Sequence, residues 1–428
     1  MEEWLRCNAY LNSLAGELAV GDRMTSDAVV AHKAAPAAKK RYREAFERNV
    51  QRGRPPHMAR VSMFIKVEKW PVSSLETQDD GAYNDTAKPP RGIQHRSYNY
   101  CAELSTYLLP IELKLWKYLD RGLCPFSKVM NSFAVASTIV AMASEFSDPV
   151  FILLDHAKFD SCVTTRWIQL EENFYMHLMP DEDLLALMGL QYENRGYTKN
   201  GIRYSCVARK MSGEYNTGLG NTVINYTILE DVFRNVTHRT LLNGDDSVVV
   251  MEAGDVDKVD FGPEVWKKYG FRTKCEVVTE IEQVDFCQCR PIQIREGVWR
   301  MVRAPARAIS RSSVSVKRYE GKAWYSLVAA IGHSELACGD GVPMMQAWAQ
   351  AYLRASLGAT PMATELSRRA RLESSLNPTV KPVTLVARDS FERAFGFNAQ
   401  QQVQFEEWCG EQLMEVLPAT RPDDRLSL

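Results

Sequence analysis

Read only for its apolar and polar positions, the chain falls into three stretches. The first, to residue 148, alternates helical patches at 38–49 and 102–119 with stretches rich in Pro, Gly and Asp, most clearly 71–90. In the second, 149–292, strands and helices interleave. Pro149 to Leu154 is a continuous apolar run, long enough for a buried strand and too short for a helix. The spacing then predicts a helix over 164–178, a strand over 203–209 and a helix over 217–232. Leu241-Leu242 and Val248 to Met251 are two short apolar runs around Gly244-Asp245-Asp246, which predicts a hairpin with a tight turn. The third stretch, 293–428, opens with a strand at 298–302 and becomes mostly helical. It ends in a polar tail beyond Pro418, expected to be disordered. There is no internal repeat and no low-complexity tract.

A chain of 428 residues exceeds one ordinary core, so two or three packed subdomains are expected. The net charge of −1 argues against a uniformly basic nucleic-acid binder, but the charge is segregated. Eleven Lys or Arg stand against three Glu from His32 to Trp70, and eight against two from Arg295 to Lys322. These segments could wall an anion-binding channel or be solvated helix faces. The ten cysteines show no paired CxxC units with zinc spacing. Cys287 and Cys289, in a strand-like stretch, should point to one face as structural residues. No apolar run reaches the roughly 18 residues that span a bilayer, and Met1-Glu2-Glu3 does not open a signal peptide. A soluble chain with free thiols in a reducing cytosol is expected.

Candidate chemistry gathers in the second stretch. Asp155 ends the apolar strand, and Asp160 follows beyond a turn through His156-Ala157-Lys158-Phe159. If that strand lies beside the Leu241 to Met251 hairpin, Asp155 and Asp245 meet at one rim of a sheet. Paired carboxylates there could hold two Mg²⁺ for in-line phosphoryl transfer. The competing reading of a strand-end Asp is a turn residue or helix cap. Between them, Ser212 to Asn216 reads as a flexible loop and Thr217 opens a helix. Thr217, Asn221 and Asn225, spaced i, i+4, i+8, form a polar stripe on a helix otherwise lined by Leu219, Val223, Ile224 and Ile228. Such a stripe faces water or reads a ribose hydroxyl beside the metals. Neither GxGxxG nor GxxxxGK[ST] is completed, which removes a dinucleotide or P-loop site.

Asp155-x4-Asp160, Ser212-Gly213-x3-Thr217-x3-Asn221 and Gly244-Asp245-Asp246, in this order, resemble the A, B and C motifs of viral RNA-dependent RNA polymerases. Upstream, Phe64-Ile65-Lys66-Val67-Glu68-Lys69 and Lys88-Pro89-Pro90-Arg91-Gly92-Ile93-Gln94-His95-Arg96 resemble the basic fingers motif. Downstream, Tyr269 to Glu276 and Val284 to Pro291 resemble motifs D and E. The wording is most similar to tombusvirus-like polymerases of positive-strand RNA viruses, over roughly residues 60–292. The resemblance implies that Asp155 and Asp245, with Asp246 beside them, are ligands of two Mg²⁺ ions, with Mn²⁺ as a substitute. It implies that Asp160 and Asn221, helped by Ser212, Gly213 or Thr217, recognise the NTP 2′-hydroxyl. Lys66, Lys69, Arg91 and Arg96 would neutralise triphosphate charge, and Lys274, rather than Lys267 or Lys268, would protonate the pyrophosphate. Phe286-Cys287-Gln288 would support the primer strand, against a plain sheet-packing role.

The implied fold is α+β and helix-rich, a right hand with a palm of small antiparallel sheet backed by helices. Fingers with an N-terminal extension would occupy 1–148, the palm 149–292 with a fingers insertion near 179–205, and the thumb and tail 293–428. Expected partners are an RNA template and product strand, NTPs, a membrane-anchored viral replication protein and host factors. The expected place is the host cytoplasm, at membrane-associated replication complexes. Two rivals are a reverse transcriptase, against which Asp160 and Asn221 argue, and a non-catalytic RNA-binding scaffold, which predicts a missing metal carboxylate. Trp324 and Tyr325 are expected in core packing, with a stacking platform for an initiating nucleotide as the alternative.

Overall fold

The computed structural model describes residues 2–66, 91–369, 379–411 and 417–418. They divide into two compact units. The first holds residues 2–66, 91–128 and 142–277, and the second the remaining described residues. These units cut across the three stretches of the sequence pattern, because the chain passes from one to the other more than once.

The first unit begins with α1 (Glu2–Glu17), α2 (Ser26–His32) and α3 (Pro36–Arg52), then β1 (Val61–Ile65), β2 (Gly92–Arg96) and α4 (Tyr98–Leu115). The second unit contributes α5 (Ser132–Ala143), after which the first resumes with β3 (Pro149–His156), α6 (Phe159–Cys162) and α7 (Thr165–Leu178). Next come α8 (Glu182–Gly189), β4 (Glu193–Thr198), β5 (Arg203–Val207), α9 (Thr217–Val232) and the hairpin β6 (His238–Asn243) and β7 (Asp246–Glu252). The unit closes with α10 (Pro263–Lys268) and β8 (Thr273–Val278).

Two four-stranded sheets organise this unit, in the orders β2-β1-β4-β5 and β6-β7-β3-β8. The pairs β1–β2, β4–β5, β3–β7 and β6–β7 are antiparallel, and β1–β4 is parallel. α9 is the core helix. Leu219, Val223, Ile224 and Ile228 are fully buried; of its polar stripe Asn221 and Asn225 are buried as well and Thr217 is half-buried, so most of the stripe does not face water. α1 lies against α9: Arg6 forms an ion pair with Asp231 (Nη2 to Oδ2 3.0 Å), and the Tyr269 hydroxyl donates to the same carboxylate at 2.6 Å. A segment outside every predicted element thus covers the helix that carries the site. The predicted strand at 203–209 stops at Val207. Ala208 and Arg209 are left-handed (φ 56° and 71°) and turn the chain so that Lys210 N–H reaches the Asp160 carbonyl at 2.9 Å.

The second unit is built on the antiparallel pair β9 (Cys289–Arg295) and β10 (Val298–Arg303), followed by α11 (Pro305–Ser312) and β11 (Val314–Ser315). Then come α12 (Gly321–Gly339), α13 (Met345–Ala355), α14 (Ala363–Arg369), α15 (Leu385–Phe395), α16 (Ala399–Glu411) and β12 (Leu417–Pro418). α12 and α13 approach at a glycine: a Cβ on Gly332 would stand 2.8 Å from Leu353 Cδ2. Arg300, from the second basic segment, is fully buried in an ion pair with Asp340, which removes it from any anion-facing wall. Trp324 packs against this unit's core, as the packing reading expected, while Tyr325 is exposed. The strand expected to carry Cys287 and Cys289 on one face is instead a turn. Phe286 and Cys289 pair with each other, and Cys287 and Gln288 between them are both left-handed, at φ 52° and 64°. That combination defines a type I′ turn, so the two sulfurs leave a bend and not one face of a strand. No disulfide joins any of the ten cysteines.

Candidate active site

The β6–β7 register pairs Asn243 with Asp246, leaving Gly244 and Asp245 as a two-residue turn. Gly244 takes φ +71°, which a residue with a side chain rarely adopts, so the first turn position calls for glycine. α9 clamps this turn from behind. Gly244 N–H donates to Thr222 Oγ1 at 3.0 Å, and Asn225 Nδ2 donates to the carbonyls of Gly244 (3.1 Å) and Asp245 (3.3 Å). On the other side, β3 sets Leu154 opposite Ser247, and Asp155 therefore emerges beside the turn. The Asp245 carboxyl is open to solvent on one side and ringed by protein on the other. Burial raises its pKa, Asp155 adds to the rise, and a backbone hydrogen bond and Lys128 oppose it.

Asp160 joins this cluster through a turn in which Lys158 is left-handed (φ 55°). Asn221 Nδ2 donates to Asp160 Oδ1 at 2.7 Å. Burial raises the Asp160 pKa, opposed by the Asn221 hydrogen bond, with Asp245 adding to the rise. The other end of that amide is open: Asn221 Oδ1 is buried and accepts no hydrogen bond among the described residues. The loop preceding α9 is pinned to β2. Gly213 N–H donates to the Gln94 carbonyl at 2.7 Å, and Ser212 Oγ accepts from Gln94 N–H at 3.2 Å. A Cβ on Gly213 would stand 2.8 Å from His95 Cβ, so the close approach requires glycine. Thr217 Oγ1 donates to the Met211 carbonyl at 2.6 Å and closes the loop on itself.

A family model described as viral RNA dependent RNA polymerase matches residues 20–415. The chain belongs to this viral RNA-dependent RNA polymerase family. It is 31% identical to the RNA-directed RNA polymerase of Carnation mottle virus over 362 residues, covering 81% of this chain and 46% of that protein. Identity is 29% to the RNA-directed RNA polymerase of Turnip crinkle virus (82% and 46% covered) and 30% to that of Tomato bushy stunt virus strain Cherry (81% and 42%). The chain thus spans about half the length of these curated relatives, or somewhat less.

Polymerases of this viral family use divalent metal ions. The donor chemistry of two residues fits such a group, although no cluster of three or more His, Cys, Asp or Glu that could hold a metal ion stands among the described residues. Asp155 and Asp245 offer only carboxylate oxygens, the donors hard cations prefer, and neither has a salt-bridge partner among the described residues. Asp246 opens β7 next to them and is exposed.

The cations divide. Lys66 and Arg91 face each other across the base of the β1–β2 pair, with Lys66 N–H donating to the Arg91 carbonyl at 2.8 Å. Lys69 and Lys88 lie outside the described residues. Arg96 corrects the sequence expectation: it is 3% exposed, ion-paired with Glu214, bonded to Asn194 and donating to the Ala59 carbonyl at 2.6 Å. A guanidinium so consumed ties β2 to the loop before α9 and is not open to a triphosphate. Lys274 on β8 is well exposed, with Glu276 at 3.9 Å, and no hydrogen bond or ion pair joins it to Asp155 or Asp245. Sequence reading passed over Lys128. Its segment pairs with β6 through Phe126 and Leu242, and its Nζ lies 3.4 Å from where a Cβ on Gly218 would stand. Only the lysine's place in an unmatched stretch hid it. Asn225 was assigned to the stripe without a role, and the structure makes it a clamp on the Asp245 turn.

Proposed function

We propose that this chain is the catalytic part of a viral RNA-directed RNA polymerase, adding NTPs to an RNA 3′ end under a template. The observation that carries this reading is the convergence of Asp155 and Asp245 with the Asp160–Asn221 pair, whose Asn221 Oδ1 is buried without a donor. A ribose 2′-hydroxyl is a donor of the right kind for that oxygen, and a deoxyribose has none to give. In this reading Asp155 and Asp245, flanked by Asp246, hold two Mg²⁺ or Mn²⁺ ions. When bound, these supply charge stabilisation to the attacking and leaving oxygens of phosphoryl transfer. Ser212, Gly213 and Thr217 shape the loop beside the sugar, Lys66, Lys69 and Arg91 are assigned to neutralise the triphosphate, and Lys274 Nζ delivers a proton to the leaving pyrophosphate.

The β6-β7-β3-β8 sheet with α9 is assigned as the palm, the β2-β1-β4-β5 sheet as part of the fingers, and the helices after β10 as the thumb. No helix among the described residues is long and apolar enough to cross a membrane. Recruitment to membrane-associated replication complexes in the host cytoplasm would then rely on another segment or on a membrane-anchored viral protein, with host factors. The test is purified protein with Mg²⁺ or Mn²⁺, four NTPs and a single-stranded RNA whose 3′ end is free or blocked. Template-length products are expected with NTPs and not with dNTPs. Products that persist in Asp245→Ala would sink the mechanism.

A further inference from the structure

Behind the Asp245 turn runs a chain of hydrogen bonds that links four elements. His156, at the end of β3, is 4% exposed and boxed by the rings of Phe159, Trp266 and Phe271, with centroids 5.4, 5.7 and 5.5 Å away. Its Nε2 lies 3.1 Å from Asn225 Oδ1 on α9, and its Nδ1 lies 2.8 Å from Thr273 Oγ1 on β8. Asn225 in turn spends its amide N–H groups on the carbonyls of Gly244 and Asp245.

The direction of every bond in this chain follows from its last acceptors. Two backbone carbonyls can only accept, so the nitrogen of the Asn225 amide must face them and its oxygen must face His156. That oxygen requires an N–H from His156 Nε2. A neutral ring with its proton on Nε2 has a lone pair on Nδ1, which takes the Thr273 hydroxyl proton. Moving the neutral ring's proton to Nδ1 would set Nε2 and the Asn225 oxygen acceptor against acceptor. The aromatic box fixes the ring plane, and the amide therefore has one orientation.

Resting on the polymerase reading above, we infer that His156 and Asn225 are positioning residues for nucleotidyl transfer. They lock the Asp245 carboxylate to β3, α9 and β8 through the backbone of its own turn. Neither side chain touches a reacting atom. β8 also carries Lys274, directly after Thr273, so the same chain registers the proposed proton donor's strand against the proposed metal-binding turn.

The experiment compares His156→Phe, Asn225→Leu and Thr273→Val with His156→Gln and with Asp245→Ala. Phe keeps the ring in its aromatic box and removes both nitrogens; Gln restores an N–H near the position of Nε2. Steady-state kcat and KM for NTP, RNA affinity, melting temperature and Mn²⁺ binding by electron paramagnetic resonance are measured for each. His156→Phe and Asn225→Leu are expected to lower kcat and Mn²⁺ affinity by about 10- to 100-fold, with RNA affinity unchanged. His156→Gln is expected to regain most of the loss. Normal kcat and Mn²⁺ affinity in His156→Phe and Asn225→Leu, or an equal loss in Phe and Gln variants, overturns the inference. If His156→Phe does not fold, Thr273→Val, which removes one hydroxyl at the outer end of the chain, carries the same comparison with a smaller loss. Should Asp245→Ala remain active, the polymerase site itself has been misassigned. Should it be inactive while the network variants are normal, only the positioning role fails.

Discussion

Lys210 and Glu171 are both buried and in contact with each other, whereas Asp155, near the end of its strand, and Asp245, in the turn beside it, have no salt bridge among the described residues. The first pair is saturated. Glu171 Oε1 also accepts from the Tyr175 hydroxyl and from Asn216 Nδ2, both at 2.7 Å. Arg96 is likewise buried in an ion pair with Glu214, four residues after Lys210, although Glu214 Oε2 accepts no hydrogen bond among the described residues. The carboxylate of the turn does the opposite: burial and the neighbouring Asp155 both raise the cost of ionising Asp245. One set of charges fixes the loop before α9, and the other is left to be neutralised by something that binds. The two sets are joined by backbone: Lys210 N–H donates to the Asp160 carbonyl, so the saturated pair sits at the edge of the unsaturated cluster.

The sharpest way to break this contrast is to neutralise one member of each set. Asp245→Asn should lower nucleotide incorporation by about a thousandfold or more, since a ligand of the proposed metal ions is lost. Its melting temperature should not fall and is expected to rise. Burial and Asp155 both oppose the charged form, and the amide removes that penalty. Gel-based product counts and a thermal melt on one preparation check both parts.

Lys210→Met should reverse the pattern. It leaves Glu171 buried without its cation, which costs about 3–5 kcal/mol. Combining it with Glu171→Leu should recover much of that loss, because removing both charges removes the desolvation problem as well. Denaturant melts of the two single variants and the double variant give the coupling directly. A Lys210→Met protein as stable as the parent would show that the pair is not what holds the loop.

Much of the carboxylate set was legible in the sequence, and almost none of the paired set. The apolar run before Asp155, the turn at Gly244 and the i, i+4 spacing of Asn221 all have local patterns, and α9 begins and ends where its spacing predicts. Arg96 sat inside a recognisable basic motif, yet its partner Glu214 is 118 residues away, and nothing local distinguishes a phosphate-facing arginine from one buried in an ion pair. The same holds for Arg300 with Asp340 and for α1, whose contact with α9 rests on Arg6 and Asp231, 225 residues apart. The turn at Cys287-Gln288 was misread for a different reason. Neither residue is Gly, Asn or Asp, so the usual composition signal for a left-handed turn was missing.

Between the two sets lies the loop they share, and a single methyl group tests how tightly it is held. Gly213→Ala would place a Cβ 2.8 Å from His95 Cβ and 3.0 Å from the Gln94 carbonyl oxygen, so either β2 or the loop must shift. A loss of about 1–3 kcal/mol is expected from such overpacking. The accompanying KM for NTP should rise more than kcat falls, since Asp155 and Asp245 are untouched. An unchanged KM would detach this loop from the nucleotide.

The smallest effect sharpens the contrast through pH. Glu112 on α4 is partly buried, with the Tyr215 hydroxyl donating to it at 3.3 Å, and burial pushes its pKa up to about 7 against an ordinary value of 4.5. Between those two pH values the folded protein holds a proton on Glu112 that the unfolded chain has released. Folding is therefore favoured at the acid end of this window and loses that contribution as pH rises through about 7. Glu112→Gln fixes the neutral form. Its advantage over the parent should be small at pH 5 and grow to about 1 kcal/mol by pH 8, the full shift being reduced by partial solvent access. Parallel melts across that range measure the difference. A parent and variant that run parallel would mean that Glu112 already finds enough compensation from Lys33 and Lys128 to behave as a paired charge, which would move it from the unsatisfied set to the saturated one.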